Sequence, residues 1–277
     1  MLQACLNGAR PVGAHPALPV SPQQLAEDAV AVGSLGVTSL HLHPRDAVGL
    51  EVLAGPEVAT TVAVVRAAVP HAQIGVTTAA WIQPDPARRA ELVAGWAGLA
   101  AGRPDLASVN VHEDGWRDVC AALHQAGIGI ELGVFDVPAA RRLLDLGPPA
   151  GAVRVLAEVQ VTEPTEAVAE AGRLLDALAP LDLPVLLHGE DAGAWPVLAE
   201  AARRGLATRI GLEDVLTRPD GSPAADNADL LRTAADLLSS QRPAGLAVQS
   251  LRGIGWDVDL DELRDGDPER KWRSGPA

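Results

Sequence analysis

The feature that most constrains this chain is a repeated alternation. Short β-branched runs are each followed by a longer Ala/Leu-rich segment of helical period, eight times over. The runs at residues 2–6, 38–43, 73–78, 106–111, 128–135, 152–159, 183–188 and 208–212 read as strands. The first helix opens at Ser21-Pro22-Gln23-Gln24, with a capping serine and a proline in its first turn. Further helices are expected at 56–69, 87–99, 115–125, 138–146, 165–178, 194–204 and 224–239. Strands that alternate strictly with helices must pair in parallel, and eight such units predict a closed (β/α)₈ TIM barrel. An open doubly wound sheet is the competing architecture, but no Gly-x-Gly-x-x-Gly follows the first strand. No shift in composition marks a linker within the 277 residues, so residues 1–251 are expected to form one domain. Residues 252–277, rich in Asp, Arg and Gly, are expected to be an exposed tail or a docking arm.

A (β/α)₈ barrel places its reactive groups where strands end and the following loops begin. The polar residues of this chain gather at those positions: Asn7 and Arg10 after the first strand, and His41, His43, Arg45 and Asp46 at the second. Thr77 and Thr78 follow the third, and Asn110, His112 and Glu113 the fourth. Glu131 and Asp136 mark the fifth, Glu158 the sixth, and His188, Glu190 and Asp191 the seventh. Arg209, Glu213 and Asp214 belong to the eighth.

His41-Leu42-His43 is the sharpest of these signals. Residues two apart on a strand point to the same face, so both imidazoles enter the barrel mouth together. That geometry suits capture of Zn²⁺ or a similar divalent ion, which then needs a third protein ligand and an open position for catalysis. The eighth strand lies near the second around a barrel, which makes Glu213 the best third ligand, and Asp214 is a candidate base. Two plainer readings stand beside these. The histidines could be partly buried and bonded to carboxylates, and Glu213-Asp214 could be an ordinary loop pair. His15, His71 and His124 read as surface or packing residues, and the tryptophans as packing.

Composition removes several function classes. The formal charge is −14, which opposes a nucleic-acid surface or a polybasic membrane patch. Lys271 is the only lysine, so a Schiff base, a Walker-type lysine and a carbamylated metal bridge are all excluded from the barrel. Cys5 and Cys120 cannot build a disulfide framework, and no apolar span of about 18 residues is present to cross a bilayer. A reducing, cytoplasmic setting is expected.

At His41-Leu42-His43-Pro44-Arg45-Asp46 and Arg209-Ile210-Gly211-Leu212-Glu213-Asp214 the sequence resembles the β-keto acid cleavage enzymes. Supporting matches are Leu6-Asn7-Gly8-Ala9, Leu18-Pro19-Val20-Ser21-Pro22, Val76-Thr77-Thr78 and Ala107-Ser108-Val109-Asn110. The resemblance implies a zinc-dependent barrel that condenses a β-keto acid with acetyl-CoA and releases acetoacetate and a new acyl-CoA. It implies one Zn²⁺ per chain on His41, His43 and Glu213, with Asp214 taking a C2 proton, assisted by Thr77, and Arg209 steadying the enolate. Asn110, Glu131 and His188 would contact substrate, and the assembly would be a homotetramer. Arg10 stands where the namesake has an acidic residue for its substrate's amino group. It either selects a polar or anionic tail or pairs with Glu158 or Glu190. Val111-His112-Glu113-Asp114, Glu158-Val159-Gln160-Val161, His188-Gly189-Glu190-Asp191 and Val215 depart from the family pattern on the acyl and CoA side. Two CoA-free readings therefore stand as alternatives: a zinc lyase or retro-aldolase, and a mononuclear hydrolase of the amidohydrolase kind. Against the latter, amidohydrolases usually carry HxH on the first strand.

Overall fold

The computed structural model describes residues 1–240, and the expected tail at 252–277 lies outside the described residues. Eight parallel strands alternate with eight helices. The strands are β1 (Leu2–Cys5), β2 (Ser39–Leu42), β3 (Gln73–Thr77), β4 (Leu106–Asn110), β5 (Gly129–Val134), β6 (Ala152–Val159), β7 (Val185–Gly189) and β8 (Thr208–Ile210). The helices are α1 (Pro22–Gly33), α2 (Gly55–Ala68), α3 (Pro86–Ala94), α4 (Trp116–Gln125), α5 (Val137–Leu146), α6 (Pro164–Leu178), α7 (Ala194–Arg204) and α8 (Asn227–Ser240). The sheet runs β7-β6-β5-β4-β3-β2-β1-β8, so the last strand pairs with the first. Between β7 and β8 the wall is held by one parallel bridge, Leu186 to Ala207, and by the Leu187 amide donating to the Ala207 carbonyl at 2.9 Å. The result is a nearly closed (β/α)₈ barrel.

Helix periodicity explains the packing. In α1 the buried residues are Leu25, Ala26, Ala29 and Val32, and in α6 they are Ala167, Ala171, Leu174 and Leu178. Each set forms one apolar stripe laid against the sheet. Full burial of a leucine or valine is worth roughly 1.5–3 kcal/mol, so stripes of this kind hold each helix far more firmly than propensity does. Ser21 and Gln24 form the expected capping box on α1, and Asp85 and Asp136 cap α3 and α5. No helix among the described residues is long and apolar enough to cross a membrane.

Most boundaries shift by one to three residues from expectation, and three of them have a clear local reason. The ladder of β2 ends at Leu42 because the Asn7 side chain takes both backbone groups of His43, at 2.9 Å each. The chain leaves β8 at Ile210 because the Leu212 amide donates to the Asn227 side chain at 2.7 Å. The long helix expected over 87–99 tightens into a 3₁₀ turn at Gly95–Gly98, where two glycines weaken the α-helix.

Candidate active site

The C-terminal ends of the strands surround a cavity of about 420 Å³ whose wall includes Arg10, His41, His43, Thr77, Trp81, Asn110, Glu158, Glu190, Arg209 and Glu213. His41 and His43 enter side by side from the end of β2, their Nε2 atoms 3.2 Å apart. Glu213, on the turn after β8, brings Oε1 to 3.8 Å from His41 Nε2 and 3.7 Å from His43 Nε2. Gly8 makes room for this approach. Its φ is +54°, and a side chain there would run into the Glu213 side chain.

The protonation pattern favours ligation. His43 Nδ1 lies 2.5 Å from Glu51 Oε1, so the proton belongs on Nδ1 and the Nε2 lone pair faces the site. Burial lowers the His41 pKa well below the usual histidine value, with His43 and Arg209 adding to the effect, so its ring is neutral. Two imidazoles whose Nε2 atoms face each other at 3.2 Å need a proton or a cation between them. Zinc binds imidazole nitrogen at about 2.0–2.1 Å, which at a tetrahedral angle separates two such donors by roughly 3.3 Å. The observed spacing fits, the donor set of two nitrogens and one carboxylate suits zinc, and Glu213 Oε2 is buried without a hydrogen-bond partner. His41, His43 and Glu213 form the one cluster among the described residues with donors close enough to hold a metal ion.

Arg209 organises the carboxylates behind this cluster. Its Nη2 donates to Glu213 Oε1 at 2.9 Å and to Asp214 Oδ1 at 2.8 Å, while Nε donates to His188 Nδ1 at 3.1 Å. Burial alone would lower the Arg209 pKa, but Asp214 and the neighbouring acids hold it well above the ordinary value. Asp214 is fully buried just behind the cavity wall, and its Oδ2 has no hydrogen-bond partner. His188 also lies beneath the wall, its pKa lowered by burial and then by Arg209, so it is a neutral acceptor for Arg209. Across the cavity, burial pushes the Glu158 pKa well up and raises that of Glu190.

Thr77 and Asn110 stand on the wall as expected, with Asn110 Nδ2 donating to Glu113 Oε1 at 2.9 Å. Glu131 does not reach the wall. It is fully buried inside the barrel, where Arg154 Nε meets Oε1 at 2.5 Å, and Gln3 donates to it at 3.4 Å. Arg10 pairs neither with Glu158 nor with Glu190. Its guanidinium holds Asp191 Oδ1 at 2.5 Å and donates to the carbonyls of Glu213 and Asp214, both at 3.1 Å. Asp191, at φ +47°, is the one non-glycine residue with positive φ among the described residues.

Sequence reasoning passed over Glu51 and Trp81. The expectation that tryptophans serve packing holds for Trp96 and Trp116, which are buried. Trp81 is 53% exposed and stands at the cavity mouth. Its position on the loop after β3, four residues past Thr77, was the available signal.

Comparison with known proteins supplies the remaining evidence. Among curated proteins none matches the chain. Among solved structures, apo ObcA has a TM-score of 0.60 at 19% identity, over 81% of this chain and 62% of that one. The ternary complex of ObcA with a C4-CoA adduct and oxalate has a TM-score of 0.58 at 19% identity, over 81% and 64%. 3-Dehydroquinate dehydratase from Geobacillus kaustophilus HTA426 has a TM-score of 0.60 at 14% identity, over 87% and 92%. The chain thus spans less than two thirds of ObcA's length in these two superpositions, and at such identities the likeness is one of fold. The family model for β-keto acid cleavage enzymes, in contrast, matches residues 1–252, through every strand and every loop of the mouth. On that match, the chain belongs to the β-keto acid cleavage enzyme family.

Proposed function

We propose that this chain is a zinc-dependent acyl-exchanging enzyme that condenses a β-keto acid with acetyl-CoA and releases acetoacetate and a new acyl-CoA. The observation that carries the reading is the meeting of the His41–His43–Glu213 donor set with Arg209 at one cavity, with Asp214 held by Arg209 directly behind the wall. Membership of the family supports the keto acid, and the ObcA complexes with oxaloacetate and with a C4-CoA adduct support the substrate pair. Bound zinc would supply Lewis acidity to the ketone, which makes the C2 protons of a β-keto carboxylate acidic enough for a carboxylate base.

The chain's own residues would do the rest. Asp214 takes the C2 proton on its free Oδ2, with Thr77 assisting from the wall, and Arg209 steadies the enolate's negative charge. The C2 carbon bonds to the acetyl carbon of the thioester, whose C–S bond breaks to expel the CoA thiolate. The thiolate then adds to C3, the original C2–C3 bond breaks to leave that acyl group on CoA, and the C2 carbanion of acetoacetate recovers the proton from Asp214. Asn110 contacts substrate directly, and His188 acts from beneath the wall by orienting Arg209. Cytoplasmic location and a homotetramer belong to the same proposal.

One observation favours a second reading. Glu158, Glu190 and Asp191 all line the cavity, an acidic setting for the phosphates of CoA. A zinc lyase of the retro-aldol kind at the same centre needs no CoA. Elemental analysis of wild type and His41→Ala, followed by an assay of acetyl-CoA consumption, tests both. About one zinc per chain, lost in the variant, with acetyl-CoA consumed only when a keto acid is present, supports the first reading. Keto acid cleavage without CoA supports the second, and absence of zinc from a zinc-dialysed wild type defeats both.

A further inference from the structure

The two histidines at the mouth are anchored differently. His41 has a buried Nδ1 with no hydrogen-bond partner. His43 has Glu51 at 2.5 Å, and Glu51 in turn accepts from the indole N–H of Trp81, at 3.2 Å to Oε2 and 3.4 Å to Oε1. The Trp81 ring lies nearly parallel to the His43 imidazole, at 24° with centroids 6.5 Å apart.

Glu51 is held firmly from behind. It pairs with Arg45 across a tight antiparallel turn, in which the Asp46 amide donates to the Leu50 carbonyl at 2.8 Å. The Val52 amide closes the turn on the Pro44 carbonyl at 3.0 Å. Asp46 Oδ1 accepts from the Val48 and Leu50 amides, both at 2.9 Å, and the Arg45 guanidinium ties the turn to the carbonyls of Gly8 and Arg10 at 2.8 and 2.7 Å. The carboxylate is therefore presented to His43 by a braced turn.

A histidine that binds a metal through one nitrogen is oriented by whatever accepts the proton on the other, and loss of that acceptor typically weakens metal binding about 10–100-fold. We infer that Glu51 and Trp81 are positioning residues for the metal centre: Glu51 fixes the tautomer and rotation of His43, and Trp81 fixes Glu51. Trp81 lines the cavity while half exposed, so this chain of contacts runs from the mouth to a metal ligand. The inference rests on the reading of His41, His43 and Glu213 as zinc ligands.

Zinc affinity of the full chain, measured by competition with a chromogenic chelator, tests it without reference to turnover. Glu51→Gln is expected to weaken zinc binding about 10–100-fold. Trp81→Phe keeps the ring and removes one neutral hydrogen bond, so it is expected to weaken binding by about 2–10-fold. Thermal unfolding of the zinc-free proteins gives the second readout, and both variants are expected to melt with the wild type. Wild-type affinity in Glu51→Gln overturns the inference while leaving the ligand assignment intact, and so does a zinc-free midpoint lowered as far as the zinc-loaded one. Zinc binding that is equal in wild type and His41→Ala, or missing from both, overturns the ligand assignment and this inference together.

Discussion

Arg154 and Arg209 both lie within the barrel beside buried carboxylates, one toward the N-terminal end of the strands and the other at the mouth. Arg154 meets Glu131 Oε1 and places Nη1 3.1 Å from the Met1 sulfur, above a largely apolar cavity of about 370 Å³ at the closed end. Burial would raise the Glu131 pKa, but the Arg154 charge and hydrogen bond together with His41 and Arg209 outweigh it and hold the pKa below the usual value, so the pair is ionised. Arg209 spreads its donors over Glu213, Asp214 and His188, and its partners keep buried oxygens that nothing in the described chain satisfies. The two cavities are of similar size, so volume does not separate them. What separates them is concentration: the mouth gathers a metal-capable donor set and an arginine shared among Glu213, Asp214 and His188 around one space.

Substitutions can break this contrast or sharpen it. The largest effect is expected at the mouth. Arg209→Met should lower turnover by about 10²–10³-fold, the range for loss of one donor to developing negative charge, as measured by steady-state kinetics on the keto acid. At the other end, Arg154→Met strands the Glu131 charge inside the barrel. It should cost about 3–5 kcal/mol in denaturant unfolding while zinc stoichiometry stays at the wild-type value. Adding Glu131→Leu to that variant should recover most of the loss, because removing both charges removes the uncompensated one. If Arg154→Met abolished zinc binding while remaining folded, the two clusters would be one functional unit and the contrast would fail.

A smaller effect belongs to pH. Burial, partly offset by the Asn227 hydrogen bond, raises the Asp28 pKa to about 7, from an ordinary aspartate value of 3.8. Between these values the folded state keeps a proton that the unfolded state has lost, so this group's contribution to stability falls as pH rises toward about 7. Asp28→Asn should flatten that part of the profile and raise the thermal midpoint at pH 8 relative to wild type. The smallest effect is outside the barrel wall: Ser21→Ala removes the α1 cap and should cost about 1 kcal/mol without touching zinc affinity.

Much of this was legible in the sequence. Eight alternating units predict the barrel, and the period-2 geometry of His41 and His43 with the ends of β2 and β8 on either side of β1 predicts the donor set. These features follow from local periodicity and barrel topology. Loop-on-loop contacts do not. Glu51 comes to His43 through a turn whose shape depends on Arg45 reaching the carbonyls of Gly8 and Arg10. Arg10 finds Asp191 because the loops after β1 and β7 converge, and nothing in either segment specifies that partner. Glu131 was misplaced for a different reason. Strand position alone does not say how deep a side chain lies, and the Arg154 opposite it in register holds it inside the barrel.

The pairing of β8 with β1 gives the site a place in time as well as in space. Both histidines are in place along the chain by residue 43, yet Arg209, Glu213 and Asp214 come only with the last strand and its turn. Contacts so distant along the chain are the slowest to form, since the intervening segments must be ordered before the ends can meet. During synthesis, a nascent chain that has emerged only through β7 carries the histidine pair but none of the acids that complete the centre. The donor set is therefore a product of final closure, assembled only when the ring of strands has been completed.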